Sequence, residues 1–264
     1  YAVWLFFKFS PDQKVWNHLH LHQNHDLNQN NPVFLVQGVT DQTGIFILPK
    51  TDFEFTGLHE IKISLAEPLP SENCFIKAFA IEMVYIPETA FHLGDKISIN
   101  HFCTTNQQSE FYINSENAIE NSTLVSAGDY SPAETIPFSF PKGFGGFYLM
   151  KYEISQQQYA EFLNCLNFQQ QLARTQNTPA SAPGTPAMAT GASCRNGIVV
   201  KQTGISPNQP AQYGLNCNAQ NEINMPDDGK DRAMNWMCYA DLAAYLDWAC
   251  LRPITEMEFE KAAR

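Results

Sequence analysis

The sequence has few basic residues and no long apolar run. Lysine and arginine number 16, against 27 aspartates and glutamates, so the formal net charge is −11. A protein that binds nucleic acid needs a basic face, and this composition therefore argues against a nucleic-acid partner. No apolar run approaches the roughly 20 residues that a membrane-spanning helix needs. We therefore expect a chain without a membrane span.

The sequence also lacks closely spaced cysteines. No pair has CxxC spacing, and the shortest gap, between Cys238 and Cys250, fits no common zinc site. A free cysteine behaves as a small hydrophobic residue, so we expect most of the thiols to be buried and unpaired. An exported protein could instead form one or two disulfides. The seven cysteines are Cys74, Cys103, Cys165, Cys194, Cys217, Cys238 and Cys250.

Neither end of the sequence carries a start or stop signal. The residues after Tyr1 already form a strand pattern, and Glu258 to Arg264 lie within a helical pattern. We interpret the sequence as a fragment that a signal peptide could precede. The expected location is the periplasm, the cell surface or the extracellular medium.

Residues 1–82 are predicted to form a small all-β domain. Three segments of strand length are Ala2–Phe9, Ile45–Leu48 and Ile61–Leu65, and the third alternates apolar and polar residues. Short strands without any helical pattern favour a small sandwich. A fourth segment, Cys74–Ile86, is apolar on both faces for much of its length. We expect it to form a strand that is covered on both sides and runs into the next domain.

Three amphipathic helices are predicted in the second part of the chain. The first begins at Ser155, which forms a capping-box pattern with Gln158. The second begins near Ala240, where apolar residues again recur at helical spacing. The third begins at Thr255, and Glu258 completes another capping box.

Two long stretches carry little periodicity. Residues 95–146 and 167–232 are rich in Asn, Ser, Thr, Pro and Gly, and we predict long loops with little regular structure there. Loops of this length are uncommon inside a compact domain. They make an ordinary α/β architecture a poor fit to this chain.

Three segments match the motifs of one family in the family's order. The first, Met83–Gly94, resembles the strand M-V-x-I-P-x-G-x-F-x-M-G. The second, Phe147–Asn164, resembles F-x-x-x-x-Y-E-V-T-x-x-x-Y-x-x-F-x-N. The third, Tyr239–Glu260, is similar to W-x-D-A-x-A-Y-C-x-W-x-G-x-R-L-P-T-E-A-E-W-E. Residues 83–264 are thereby identified as the N-terminal part of a formylglycine-generating, or sulfatase-modifying-factor, domain.

The resemblance implies a fold and a domain division. The fold is α+β and C-type-lectin-like, with much irregular structure, over residues 83–264, behind the β-domain of residues 1–82. The sequence departs from the family pattern at the third motif, where Tyr239 replaces Trp and Cys250 replaces Gly. We expect the residues of this motif to be structural, because Thr255 caps a helix whose first turn is acidic.

The resemblance also implies an activity. The intact protein would oxidise a cysteine of a client protein to formylglycine, with two thiolates that hold a copper ion and activate oxygen. The family's reactive cysteine pair and its calcium-binding loops are expected after Arg264. No residue of 1–264 is therefore assigned as catalytic, cofactor-binding or metal-binding, and we expect this fragment to be inactive.

Two other functions stay open. The same fold without reactive cysteines would be a non-catalytic exported binding module that recognises a glycan or a protein. The long amide-rich loops and the added β-domain favour this alternative. A relative that uses non-haem iron would carry an added helical domain with a histidine-based iron site, and residues 1–82 have no such pattern.

Two weaker patterns concern metals. His18, His20 and His22 would share one face of a strand and could hold zinc or copper, although a solvated edge strand explains them as well. Residues Asn216 to Asp227 have the length of a calcium loop, but amides stand where carboxylates are needed. Calcium is thus a candidate ligand of this loop, and an amide-rich turn is the alternative. Finally, we expect residues 83–264 alone to be poorly stable.

Overall fold

The computed structural model contains strands and helices in two compact units. It describes residues 1–25, 31–50, 58–70, 73–95, 102–104, 109–121, 123–126, 134–188, 195–218 and 222–264. Unit 1 comprises Tyr1–Glu82 and Lys151–Arg252, and unit 2 comprises Met83–Met150 and Pro253–Arg264. The predicted α+β class is confirmed. The predicted domain boundary between residues 82 and 83 stays a prediction.

The elements follow one another in a strand-rich first half and a helix-containing second half. The strands of the described residues are β1 Ala2–Ser10, β2 Asn17–His18, β3 Phe34–Gly38, β4 Ile45–Pro49, β5 Phe75–Ile86, β6 Phe91–Leu93, β7 Phe102–Thr104, β8 Phe111–Ile113, β9 Leu124–Ser126, β10 Phe147–Met150, β11 Ile198–Gln202 and β12 Gln212–Leu215. The helices are α1 Gln156–Leu163, α2 Phe168–Arg174, α3 Tyr239–Trp248 and α4 Glu256–Ala262. None of these helices is long and apolar enough to cross a membrane.

The sheet of unit 1 is built on β1. Strand β1 pairs antiparallel with β4, where Trp4 lies opposite Phe46, and with β2. Strand β4 pairs with β3, and β5 lies on the other side of β1. The strand predicted at Ala2–Phe9 is observed, and every second side chain of β1 is buried. The described strands of residues 1–82 belong to this one sheet, so a sandwich is not confirmed.

Two strand predictions in this region were wrong in part. Segment Ile61–Leu65 forms only an isolated bridge between Leu65 and Leu21. The apolar side chains of this segment pack into the core of the sheet. The alternation of apolar and polar residues therefore indicated which side chains are buried, and not that the segment pairs with another strand along its length. Strand β5 exists as predicted, but it is not covered on both sides, because Phe75 and Ile76 are each 48% exposed.

Helices α1 and α3 bring an aromatic cluster into unit 1. We define the aromatic cluster as the rings of Tyr159, Phe162, Tyr245 and Trp248, in which Phe162 lies 5.7 Å from Tyr245 and 5.5 Å from Trp248 between ring centroids. The predicted caps are confirmed: the Ser155 hydroxyl accepts a hydrogen bond from the Gln158 amide, and the Gln158 side chain accepts one from the Ser155 amide. The predicted helix near Ala240 begins one residue earlier, at Tyr239.

The two predicted loops contain regular elements. Within residues 167–232 lie α2 and the hairpin of β11 and β12, and within residues 95–146 lie β7, β8 and β9. Helix α2 carries its own capping box, in which the Asn167 side chain accepts from the Gln170 amide. This signal was present in the sequence, but the surrounding run of amide side chains obscured it.

Unit 2 has its own core around short hairpins. Strand β10 pairs with the end of β5, where Tyr148 lies opposite Tyr85. Strand β6 pairs with β8, and β7 pairs with β9. The core side chains are Leu93, Ile113, Ile119, Leu124 and Met257, the last from α4. Helix α4 is anchored by Thr255, whose hydroxyl donates to the carbonyl oxygen of Pro141.

Candidate functional site

The motif residues of unit 2 hold the fold together. The Glu260 carboxylate accepts a hydrogen bond from the Gly94 amide at 2.7 Å, which joins the end of the first motif to the end of the third. Gly94 has a positive φ of 91°, and a Cβ there would meet the carbonyl oxygen of Phe102. Only glycine suits this position without strain. Among the described contacts, Thr255 and Glu258 form the predicted capping box. These contacts support the structural role expected for the third motif.

The cysteines of the described residues are scattered. Cys103 and Cys165 are buried, as expected, whereas Cys238 is exposed. Cys194 lies outside the described residues. Cys238 and Cys250 flank the ten-residue helix α3. A helix of that length separates its ends by about 15 Å, far more than two ligands of one metal ion can span.

Two of these thiols, those of Cys165 and Cys250, are protonated at neutral pH. Burial raises the pKa of the Cys165 thiol to about 11, and burial raises that of Cys250 to the same value. A thiol in this state is protonated at neutral pH and is a poor nucleophile and a poor ligand. Cys165 and Cys250 are therefore poorly suited to hold the copper ion that the family resemblance implies.

A polar cluster of unit 1 surrounds Cys250. We define the Lys8 cluster as Lys8, His18 and Cys250. The His18 Nδ1 atom lies 3.1 Å from Lys8 Nζ and 3.4 Å from Cys250 Sγ. Cys250, where the family usually has glycine, keeps the positive φ of 58° that glycine would adopt freely. Sequence reasoning missed this cluster because its members are far apart in the chain.

Burial decides the charge states in the Lys8 cluster. Burial, together with the neighbouring Lys8 charge, lowers the pKa of His18 to about 4. Burial also lowers the pKa of Lys8, which is only 6% exposed. At neutral pH the imidazole is neutral, so its Nδ1 atom can accept the Lys8 hydrogen bond. The cluster contains a protonated thiol and a weak base, and it connects Cys250, two residues after α3, to strands β1 and β2.

We predict that acid weakens unit 1 through His18. In the unfolded chain the imidazole has a pKa of about 6.5, and in the folded chain about 4, so below pH 6.5 only the unfolded chain binds the proton. The free energy of unfolding should therefore fall by at most about 3 kcal/mol as the pH is lowered from 6.5 to 4. This contribution should be fully present above pH 6.5.

The matched variants are His18→Gln and His22→Asn. Glutamine keeps an acceptor for Lys8 but does not titrate, so urea unfolding followed by tryptophan fluorescence should depend less on pH in this variant. His22 is exposed, and its replacement should leave the pH dependence unchanged. An equal pH dependence in all three proteins would contradict the prediction.

Among the alternating histidines, the rings of His18 and His20 lie 5.2 Å apart between centroids. Leu19 and Leu21, which lie between the three histidines in the sequence, are buried. The strand is shorter than expected, because β2 covers only Asn17–His18. Over the part of the chain that the structure describes, no group of three His, Cys, Asp or Glu side chains could hold a metal ion. Asp26, the carboxylate that follows these histidines in the sequence and could complete such a site, lies outside that part.

One side chain within the candidate calcium loop and one just after the loop accept hydrogen bonds from the backbone. The Asn224 side chain accepts from the Leu215 amide at 2.8 Å, and the Asp228 carboxylate accepts from the Met225 amide at 2.6 Å. Asp227, at the last position of the predicted loop, is exposed, and residues 219–221 lie outside the described residues. A calcium ligand of this loop stays a prediction.

A groove of about 540 Å³ lies between β5 and α1. We call it the β5–α1 groove. Its floor contains aromatic rings of unit 1, including Phe79 and Trp248, which lie 4.7 Å apart. At one end Lys77 and Glu161 form an ion pair at 3.6 Å, and the exposed Asp231 is part of the lining. No motif of the sequence predicted this groove.

These features define an α+β protein. In the described part of the chain, the residues of the three family motifs make structural contacts. A family model described as "Sulfatase-modifying factor enzyme 1-like domain" matches residues 82–264. The match covers more than half of the chain, which therefore belongs to the formylglycine-generating enzyme, or sulfatase-modifying factor, family. No curated protein and no solved structure matches the chain.

Proposed function

We propose that this chain is part of an exported enzyme that oxidises a cysteine of a client protein to formylglycine. The observation that carries the proposal is the family match over residues 82–264. A C-type-lectin-like fold of the whole domain belongs to the same proposal. The three motifs occur in the family's order, and the Gly94–Glu260 hydrogen bond joins two of them.

The proposal takes no reactive centre from the described residues. Soft thiolates suit a copper(I) ion, but Cys238 and Cys250 lie at opposite ends of α3. The Cys250 thiol is protonated at neutral pH because its pKa is raised to about 11. We therefore place the two copper-binding thiols outside residues 1–264 and derive no catalytic step from this chain.

The alternative function is a non-catalytic binding module on the same fold. The observation that favours it is the β5–α1 groove, which combines aromatic and polar side chains in a way typical of ligand sites. Such a module would recognise a protein or a glycan. The two functions differ in whether the complete protein oxidises a cysteine of a client protein to formylglycine.

An assay for formylglycine separates them. Residues 1–264, incubated with copper(I), oxygen and a peptide that contains the client cysteine, should yield no aldehyde detectable by mass spectrometry. The full-length protein should yield it in the same assay. Absence of product from the full-length protein would favour the binding module.

The assay also tests where the reactive thiols lie. Turnover by residues 1–264 that is lost in Cys238→Ser or Cys250→Ser would contradict the placement outside this chain. Cys74→Ser is the matched control, because Cys74 lies on β5's N-terminal side and away from α3 in sequence. Replacement of Cys74 should leave any background formation of the aldehyde unchanged.

A further inference from the structure

Another groove of unit 1 is lined almost entirely by polar side chains. Its volume is about 460 Å³, which is in the range of small-molecule sites. We call it the Trp16 groove, and its lining shares only Lys77 with that of the β5–α1 groove. Five side chains of the lining are amides, those of Gln13, Asn164, Gln202, Gln209 and Gln212.

The segment between β1 and β2 fixes Trp16 in this groove. The Asp12 carboxylate accepts hydrogen bonds from the backbone amides of Lys14 at 2.9 Å and Val15 at 3.3 Å, which closes a turn. The Lys77 ammonium group lies 4.7 Å from the centroid of the Trp16 ring, a cation–π contact that orients the indole. The indole is therefore a half-buried, positioned part of the lining.

Four of the five amides are available to a ligand. Asn164 is used by the fold, because its amide nitrogen donates to the Tyr213 carbonyl oxygen at 3.1 Å and its amide oxygen accepts from the Tyr213 amide at 2.7 Å. In the described part of the chain, the side-chain amides of the other four residues make no hydrogen bond. Each of them can donate and accept, which matches a ligand whose hydroxyl groups also donate and accept.

Two of these amides stand side by side on a rigid hairpin. Gln202 of β11 lies directly opposite Gln212 of β12, and directly opposite residues of an antiparallel pair project to the same face. Together they present neighbouring donors and acceptors at a fixed spacing. Adjacent hydroxyl groups of a sugar ring have the same requirement.

The charges of the lining are balanced. The Lys14 and Lys77 ammonium groups stand against the Asp12 carboxylate, and Lys77 also pairs with Glu161 at 3.6 Å. A phosphorylated or strongly acidic ligand is recognised by several unpaired cations. The balance of charges therefore favours a neutral ligand.

The lining also offers little apolar surface. Its apolar residues, in the described part of the chain, are Trp16 and Pro210. A bound polypeptide usually needs apolar pockets for alternate side chains, and a lipid needs more apolar surface still. One indole among amides instead matches a sugar ring, whose C–H groups are apolar and whose hydroxyl groups lie around its edge.

A neighbouring cavity of about 670 Å³ extends the groove. Lys77, Asn164, Gln202 and Gln212 line both cavities, so the two adjoin. All the residues of both linings belong to unit 1. The extended groove therefore has room for more than one sugar ring.

We propose that the Trp16 groove binds a neutral oligosaccharide. One sugar ring packs its C–H groups against the Trp16 indole, and its hydroxyl groups form hydrogen bonds with Gln202 and Gln212. This inference goes beyond the proposed function, because Trp16 precedes residue 82, where the family match begins. Saccharide binding is also measured without any formylglycine assay, so either proposal can fail without the other.

Isothermal titration calorimetry on the 264-residue chain tests the proposal. The probes are the neutral trisaccharides cellotriose, chitotriose, mannotriose and maltotriose, of which at least one should bind with a Kd of about 1 mM or tighter. Trigalacturonic acid should bind more weakly, because its carboxylates would lose water without gaining an unpaired cation. No binding of any neutral trisaccharide, or equal or tighter binding of trigalacturonic acid, would overturn the proposal. Equal or tighter binding of blocked pentaalanine would assign the groove to a polypeptide and would also overturn it.

Two amide variants locate the site. Gln202→Ala and Gln212→Ala should each weaken binding about three- to tenfold, the equivalent of one lost hydrogen bond, without lowering the midpoint of unfolding. Gln169→Ala is the matched control, because Gln169 is an exposed amide of the same unit outside the lining. Equal affinities in all three variants and the unchanged chain would overturn the assignment to this groove.

Tryptophan fluorescence tests the contact with the indole. The trisaccharide that binds should change the emission, and this change should disappear in Trp16→Phe but persist in Trp236→Phe, whose indole is 57% exposed and outside the lining. Trp16→Ala should weaken binding about tenfold or more. If Trp16→Ala fails to fold, Trp16→Phe and the two amide variants still decide the outcome. A change that persists in Trp16→Phe and disappears in Trp236→Phe would place the sugar elsewhere and overturn the proposal.

Discussion

A chain that begins at Met83 should lose the cooperative unfolding transition of unit 1. The contacts that support α3 come from strands that precede Met83. The Trp4 indole donates to the Ala249 carbonyl oxygen at 2.8 Å, and the ring of Phe6 lies 5.1 Å from that of Trp248. Both Trp4 and Phe6 are buried.

The expected loss exceeds what a domain can tolerate. Truncation of a single buried Phe or Trp costs about 3–5 kcal/mol, and a whole domain is stable by only about 5–15 kcal/mol. Removal of residues 1–82 deletes Trp4, Phe6 and Phe79 together, and it exposes the end of α3 that they contact. We expect the shortened chain to aggregate, because large apolar surfaces are then in contact with water.

Tryptophan fluorescence follows this loss in unit 1 alone. The four tryptophans are Trp4, Trp16, Trp236 and Trp248, and all belong to unit 1. Thermal unfolding of residues 83–264, followed through the two that remain, should show no sigmoidal transition, with the 264-residue chain as the control. A soluble monomer of residues 83–264 with a cooperative transition would instead support residues 1–82 as a separate domain, as the sequence predicted.

Phe162→Ala should destabilise unit 1 by about 3–5 kcal/mol. The Phe162 ring is 1% exposed and lies at the centre of the aromatic cluster, 5.3 Å from the ring of Tyr159. Alanine would remove its buried surface and leave a cavity among rings that cannot close over it. The edge-on contact of the Phe162 ring with Tyr245 and its tilted contact with Trp248 would be lost as well.

The matched control for Phe162 is Leu172→Ala on α2. Leu172 belongs to the same unit but is 45% exposed, so its truncation should cost about 0.5 kcal/mol or less. Urea unfolding followed by circular dichroism avoids the change in fluorescence that a substitution next to Trp248 would cause. Similar losses in both variants would show that the aromatic cluster does not support unit 1.

The local signals of the sequence predicted helix starts correctly. A capping box depends on a few adjacent residues, so Ser155 with Gln158 and Thr255 with Glu258 identified α1 and α4 without any tertiary information. The same signal at Asn167 marked α2, but it was overlooked among many amides. The apolar run of β1 likewise gave nearly its full extent, but it is apolar at almost every position and therefore did not identify the buried face.

The family could also be recognised from the sequence, because its motifs preserve short runs of residues in order. Pairing was harder. Segment Ile61–Leu65 has the alternation of a strand but forms one bridge, since alternation reports which side chains are buried and not whether a neighbouring backbone is within reach. For the same reason the exposure of Phe75 and Ile76 on β5 was not predicted.

The candidate sites depend on contacts between distant parts of the chain. His18 and Cys250 are 232 residues apart in sequence, yet their side chains touch, and burial there sets the charge of both. The β5–α1 groove likewise requires that Lys77 and Glu161 meet. The sequence alone determined the family, the helix caps and the main strand of unit 1, because short-range hydrogen bonds and side-chain periodicity specify them. Only the tertiary structure decided which titratable groups lose water and which side chains line a common groove, because both depend on how distant segments pack.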